Sequence, residues 1–274
     1  MLTGKALIAD LNACTLPNGQ AALWWCGQQS WILKLGGQVV YLDPFLTPLP
    51  SRLVPPLLTP ADITNAALIT GTHDHLDHID RNMWPGIAAA SPTATFVVPD
   101  LLRKRLAAEI PMPEARLAGV NDGGSVHLAG LTITGVAAAH EFLDRDAATG
   151  RYPHLSYVIE GHGCTIFHAG DACLYEGLVT KLSRWHFDVM LLPINGRDAQ
   201  RYRSGCIGNM TYQEAADLAG TLKPGLVMPA HFDMFASNPG DPEAFADYVR
   251  AKYPAQAVAI PRHTERRVVA AVPF

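Results

Sequence analysis

Residues 66–80 read Ala-Ala-Leu-Ile-Thr-Gly-Thr-His-Asp-His-Leu-Asp-His-Ile-Asp: an apolar run, a glycine turn, then a crowd of imidazoles and carboxylates. This segment constrains the fold more than any other. Its apolar half suits a buried strand, and its polar half suits a cation site. In extended chain, residues i and i+2 project to the same side, so His73 and His75 can grip one cation. Asp77 and His78 follow as the backbone is expected to turn into a helix, where they can face a second cation. Imidazole and carboxylate donors suit Zn²⁺, Mn²⁺ or Fe²⁺ rather than soft Cu⁺. A solvated loop that happens to be histidine-rich is the competing reading.

One motif cannot complete such a site, so further ligands are expected at other strand ends. His140 closes an apolar run at 132–139, Asp171 follows the run ending at His168, and His231 follows the run 225–230. Each stands where a loop begins, the usual place for functional residues in α/β scaffolds. A carboxylate has two oxygens, which makes Asp171 the natural ligand for two cations to share. The remaining histidines, His127, His154, His162, His186 and His263, read as surface or satisfied core positions. His168 and Asp43 are candidates to orient a ligand imidazole. Asp74 and Asp80 read as structural or helix-start residues.

The chain around these residues is patterned as α/β. Runs at 21–26, 31–35, 38–42, 66–70, 95–98 and 131–137 are rich in Val, Ile, Trp and Thr and bounded by Gly, Pro or Asp, as strands are. Gly36-Gly37 and Gly161-His162-Gly163 read as hairpin turns. Strands are also expected at 157–160, 164–168, 188–192 and 225–228. Thr211 and Glu214 form a capping box ahead of a helix, and 241–252 is a second helix with Pro242 in its first turn. This order predicts sheets buried under helices.

Composition narrows the function classes. The 274 residues carry 21 Lys+Arg against 25 Asp+Glu, a net charge of −4, which argues against nucleic acid as a partner. An apolar fraction of 49% argues against disorder. No stretch reads as a membrane span or a signal peptide, so a soluble cytoplasmic protein is expected. Five cysteines without CxxC spacing read as scattered reduced thiols. The Trp24-Trp25 pair and the Pro-rich stretch 47–60 fit either core and loop or the interface of a homo-oligomer.

The His73-x-His75-x-Asp77-His78 motif, followed in order by His140, Gly170-Asp171 and His231, resembles the metallo-β-lactamase superfamily. The segments Leu23-Trp24-Trp25-Cys26-Gly27, Tyr41-Leu42-Asp43-Pro44-Phe45, Thr72 to Asp80, His168-Ala169-Gly170-Asp171 and Pro229-Ala230-His231-Phe232-Asp233 look like its ascorbate-6-phosphate lactonase group. The resemblance implies a four-layer αβ/βα sandwich formed by residues 1–274 as a single domain. It implies two divalent metal ions, Zn or Mn with Fe also accepted. His73, His75 and His140 would hold one ion, Asp77, His78 and His231 the other, and Asp171 would bridge them.

The implied activity is a metal-dependent hydrolase acting on a small anionic carbonyl substrate, such as a phosphorylated sugar lactone. Metal binding lowers the pKa of water from about 16 to about 7, so a metal-held hydroxide is the expected nucleophile, with Asp77 orienting it. Arg197, Arg201 and Arg203 form the candidate anion clamp, since arginine forks suit phosphate or carboxylate oxygens. A solvated basic loop or a subunit contact is the alternative for these three. The rival activity is a phosphodiesterase acting on a small phosphodiester or phospholipid head group. Nucleases of this superfamily insert a domain, and only 30 residues lie between His140 and Asp171 here. Di-iron redox relatives carry Glu in place of the second His, which disfavours that class.

Overall fold

Trp24 and Trp25 are adjacent in sequence, yet each packs into a different core. Side chains of a strand alternate between faces, so two consecutive buried tryptophans require a sheet covered on both sides. The computed structural model, which describes residues 1–272, has this architecture. Helix α1 (Gly4–Ala13) precedes the strands β1 (Gln20–Trp25), β2 (Trp31–Leu35) and β3 (Gln38–Leu42). Then come β4 (Leu68–Thr70), α2 (Trp84–Ala90), β5 (Thr95–Pro99), α3 (Asp100–Glu109) and β6 (Leu117–Val120). The second half runs β7 (Ser125–Leu128), β8 (Leu131–Ala137), β9 (Leu155–Gly161), β10 (Cys164–His168), α4 (Leu178–Leu182) and β11 (Val189–Pro193). It ends with α5 (Ala199–Arg203), α6 (Tyr212–Leu222), β12 (Leu226–Ala230), α7 (Pro242–Lys252) and β13 (Arg267–Ala270).

The strands form a seven-stranded sheet of order β13-β1-β2-β3-β4-β5-β6 and a six-stranded sheet of order β12-β11-β10-β9-β8-β7. Leu23, Trp25, Leu33 and Val40 of the first sheet meet Ile133, Tyr157, Ile166 and Leu191 of the second in a central core. On its other face the first sheet packs Trp24, Ile32 and Phe96 against Leu7 of α1, Ile87 of α2 and Leu106 of α3. The second sheet packs Phe167, Met190 and Leu192 against Leu182 of α4, Leu218 of α6 and Phe245 of α7. The result is the expected four-layer αβ/βα sandwich. Burying each such side chain contributes about 1.5–3 kcal/mol, so the three cores dominate stability.

The glycine hairpins form as expected, joining β2 to β3 and β9 to β10 in antiparallel register. The helices α1, α2 and α3 were not legible in the pattern. Tertiary contacts fix α1: the Trp24 indole donates to Asp10 Oδ2 at 2.8 Å, and the buried Lys34 ammonium donates to the Leu11 carbonyl at 2.6 Å. Trp24 and Trp25 are core, not interface.

Candidate metal centre

Gly71, His140, Asp171 and His231 all stand just beyond strand ends, at one edge of the sandwich. The Leu155 N–H donates to Thr72 O at 3.0 Å, the Cys173 N–H to Ala139 O at 2.7 Å and the His231 N–H to Gln28 O at 2.9 Å. These bonds tie the loops from both sheets together. Gly71 is a forced glycine, since a Cβ there would meet Ile79 at 2.5 Å and the Trp84 ring at 2.9 Å. Gly170 has φ +59°, and a Cβ on it would lie 2.8 Å from the Thr72 side chain. That close approach brings Asp171 up against the motif.

The motif itself does not become a helix after His75. The His75 carbonyl accepts N–H bonds from both His78 and Ile79, at 3.1 and 2.8 Å, which makes a single turn. The Asp80 carboxylate then accepts from Leu46 N–H at 2.9 Å, Thr47 N–H at 2.7 Å and the Thr47 hydroxyl at 2.6 Å. These bonds hold the turn against the 45–47 loop, and helix begins only at Trp84.

The seven candidate ligands form two groups, each with its donor atoms within 4.8 Å of one another. In the first, His73 Nε2 lies 2.8 Å from His75 Nδ1, and His140 Nε2 lies 3.3 Å from the same atom. Asp171 completes it, with Oδ2 at 3.7 Å from His140 Nε2. In the second, His78 Nε2 stands 3.5 Å and His231 Nε2 3.9 Å from Asp77 Oδ2. Asp171 Oδ1 lies 3.3 Å from His78 Nε2 and 3.2 Å from His231 Nε2. One carboxylate therefore offers an oxygen to each group.

A cation fits this donor set. Asp171 Oδ1 and His78 Nε2 are buried and, although 3.3 Å apart, neither makes a well-aligned hydrogen bond among the described residues, a condition costing about 1–3 kcal/mol or more per group unless something satisfies it. Protonation suits a cation in the first group, whereas in the second Asp171 and Asp77 outweigh burial and raise His78 and His231 above 6.5, so a cation there would displace their protons. Burial, reinforced by His78, drives His73 well below 6.5, and burial takes His140 down to about 4, so both keep a free lone pair near neutrality. Burial alone would raise the pKa of Asp171, but His231 and His78 beside it hold the group well below the ordinary carboxylate range.

Asp43 takes the orienting place expected for it. Its carboxylate accepts from His78 Nδ1 at 2.6 Å, from the Thr72 N–H at 3.2 Å and from the Thr72 hydroxyl. His168 reaches the same carboxylate, with Nε2 at 3.4 Å from Oδ2. Gln28, Asp43, Glu141 and His231 are non-glycine residues with φ of +53°, +45°, +72° and +58°. Such strain costs of order 1–3 kcal/mol per residue and gathers at functional sites.

Two neighbours of the centre were missed. The His154 ring lies 5.4 Å from those of His73 and His140, although the sequence made it a surface or satisfied core position. Gln28, in the turn between β1 and β2, places Nε2 2.9 Å from Asp77 Oδ2 and 3.0 Å from His231 Nε2.

The arginines expected to clamp an anion stand outside both groups. Arg197 donates to Glu214 through both terminal nitrogens, at 2.7 Å each, and to Asn209 O at 2.9 Å. Arg201 donates to the carbonyls of Asn195 and, at 2.8 Å, of Pro239. Both forks are thereby occupied in bracing the loop that carries them. Arg203 is exposed.

A model of the beta-lactamase superfamily domain matches residues 38–232. The chain belongs to the beta-lactamase superfamily. Among its relatives, a UPF0173 metal-dependent hydrolase of Pyrobaculum aerophilum is 30% identical over 230 residues, covering 83% of this chain and 91% of the relative. A UPF0173 metal-dependent hydrolase of Myxococcus xanthus is 27% identical over 266 residues, 94% of this chain and 86% of that one. Among solved structures, a metallo hydrolase from Ignicoccus hospitalis superposes with a TM-score of 0.71 at 22% identity, covering 91% of this chain and 98% of that one. The fold, the relatives and the donor set agree on a metal-dependent hydrolase of this superfamily with a candidate His/Asp metal site. No helix among the described residues is long and apolar enough to cross a membrane.

Proposed function

We propose that the chain is a binuclear hydrolase, one domain over 1–274, that opens a small lactone such as ascorbate 6-phosphate. The observation that supports this reading is Asp171, whose two oxygens face two separate clusters of donors. His73, His75 and His140 would hold one divalent cation, Asp77, His78 and His231 the other, with Asp171 shared. Cations so held would lower the pKa of water toward about 7 and polarise the carbonyl under attack.

The chain's own residues have distinct tasks in this reading. Asp43 keeps the His78 ring oriented through Nδ1, so Nε2 would be the nitrogen offered to a cation. Asp77 is the most open member of its group, with a side chain 20% exposed against 0% for His78 and 3% for His231. Its carboxylate is therefore placed to orient the attacking water and accept its proton. Arg203 is left as the arginine of the 195–203 loop to meet an anionic substituent, since Arg197 and Arg201 brace that loop. The five free cysteines suit a cytoplasmic setting.

The test combines metal analysis with a panel of lactones, thioesters, phosphodiesters and β-lactams, each offered with and without a phosphate. Two bound cations per chain and preferred turnover of a phosphorylated lactone are expected. A chain that takes up no cation, or whose activity survives His75→Ala, is not a binuclear hydrolase. Preferred cleavage of a phosphodiester replaces the lactone with the rival substrate.

A further inference from the structure

The turn between β1 and β2 grips the metal centre from outside the motif. Gln28 and Gln29 are both buried there, 2% and 0% exposed, although glutamine is mostly a surface residue. The Gln29 amide donates to Gly170 O at 2.6 Å, next to Asp171. The Gln28 backbone is fixed at both ends. Its N–H donates to Asp233 Oδ1 at 2.8 Å, and its carbonyl accepts from Trp25 Nε1 at 3.0 Å and His231 N–H at 2.9 Å. Asp233 is held in turn by His263 Nε2 at 2.6 Å. This frame keeps Gln28 at φ +53° and aims its side chain at Asp77.

Resting on the binuclear reading above, we propose that Gln28 is a positioning residue of the metal centre that acts through Asp77. The charge on Asp77 decides which end of the amide faces it, because a carboxylate oxygen at 2.9 Å accepts an N–H and repels a carbonyl. With Oδ2 engaged by this N–H, the carboxylate cannot rotate freely, and its other oxygen has a fixed direction. Outer partners of this kind commonly contribute 10–100-fold to metal affinity. The same nitrogen lies 3.0 Å from His231 Nε2, which places the amide between two members of the second group.

The test titrates Zn²⁺ into the metal-stripped full chain against a chelating dye, with Gln28→Met, Asp77→Asn and the double variant. Methionine keeps the length of the side chain and removes the donor. We expect Gln28→Met to weaken one of two binding steps about 10–100-fold and to leave the other unchanged. In the Asp77→Asn background the same change should add nothing, the signature of two residues acting as one unit. Thermal unfolding of the metal-stripped chain should be unaltered, and Gln28→Ala repeats the measurement should the methionine variant fold poorly. Wild-type steps in Gln28→Met overturn the proposal, as do a full penalty on top of Asp77→Asn or equal weakening of both steps. If the wild-type chain itself takes no Zn²⁺, the binuclear reading fails first and this proposal with it.

Discussion

Nδ1 of His78 lies 2.6 Å from Oδ2 of Asp43, and neither side chain has any exposure to solvent. The carboxylate selects the tautomer of the ring, because Nδ1–H donates to it and Nε2 is left to face Asp171 and Asp77. Asp43→Asn keeps the shape and removes the charge. Cation affinity is expected to fall 10–100-fold, measured by competition with a chelator of known strength. Unchanged affinity would mean that Thr72 and the surrounding packing orient the ring without Asp43.

Asp80 has a different task, although it closes the same motif. Fully buried, it accepts three hydrogen bonds from Leu46 and Thr47 and makes none to the ligand groups. Hydrogen bonds to a charged group are worth about 1.5–3 kcal/mol each, and their effects overlap when one side chain supplies all of them. Asp80→Ala should therefore destabilise the metal-free chain by about 3 kcal/mol, read from urea unfolding. A loss below about 1 kcal/mol would show that the 45–47 loop is held by other contacts.

The candidate ligand groups were legible because histidine and aspartate stood at the ends of recognisable strands, and strand ends converge in layered α/β folds. Asp43 was legible as an orienting residue for the same reason, whereas His168 stands 3.4 Å from Asp43 itself. Gln28 was not. Its place depends on Asp233 and His231, both more than 200 residues away, and a glutamine in a hairpin turn ordinarily points to solvent. His154 likewise joins the centre only because Leu155 pairs with Thr72 across the sheets. The helix expected after His75 fails because the Asp80 carboxylate engages the 46–47 backbone, a long-range contact invisible to local pattern. The arginine loop looked like a clamp because Glu214, which occupies Arg197, lies 17 residues further on.

Arg197 provides a test that separates bracing from substrate binding. Its pair with Glu214 is about a third exposed on either side, 32% and 28%, so solvent screens much of the attraction. Arg197→Ala should lower stability by only about 1 kcal/mol. Any change in KM should be equal for phosphorylated and uncharged versions of one substrate. A rise in KM confined to the phosphorylated version would restore Arg197 as an anion clamp.

The cysteines allow a nucleophilic thiol to be tested against metal chemistry. Cys173 follows Asp171 by two positions, and Cys26 precedes the Gln28 turn. Burial pushes Cys26 up to about 12, and burial with help from Asp188 pushes Cys164 up to about 11. Cys173 and Cys206 are also raised, burial again being the main cause. A raised thiol pKa means less thiolate at any given pH, and the thiolate is the reactive form. At pH 8, a group at about 12 is ionised to roughly one part in 10⁴, against about a quarter for an ordinary thiol. Treatment with iodoacetamide at pH 8 should therefore leave hydrolysis intact, while stripping with a chelator should abolish it and added cation should restore it. Inactivation by iodoacetamide at a rate typical of a free thiol, blocked by substrate, would move the chemistry from the cations to a cysteine.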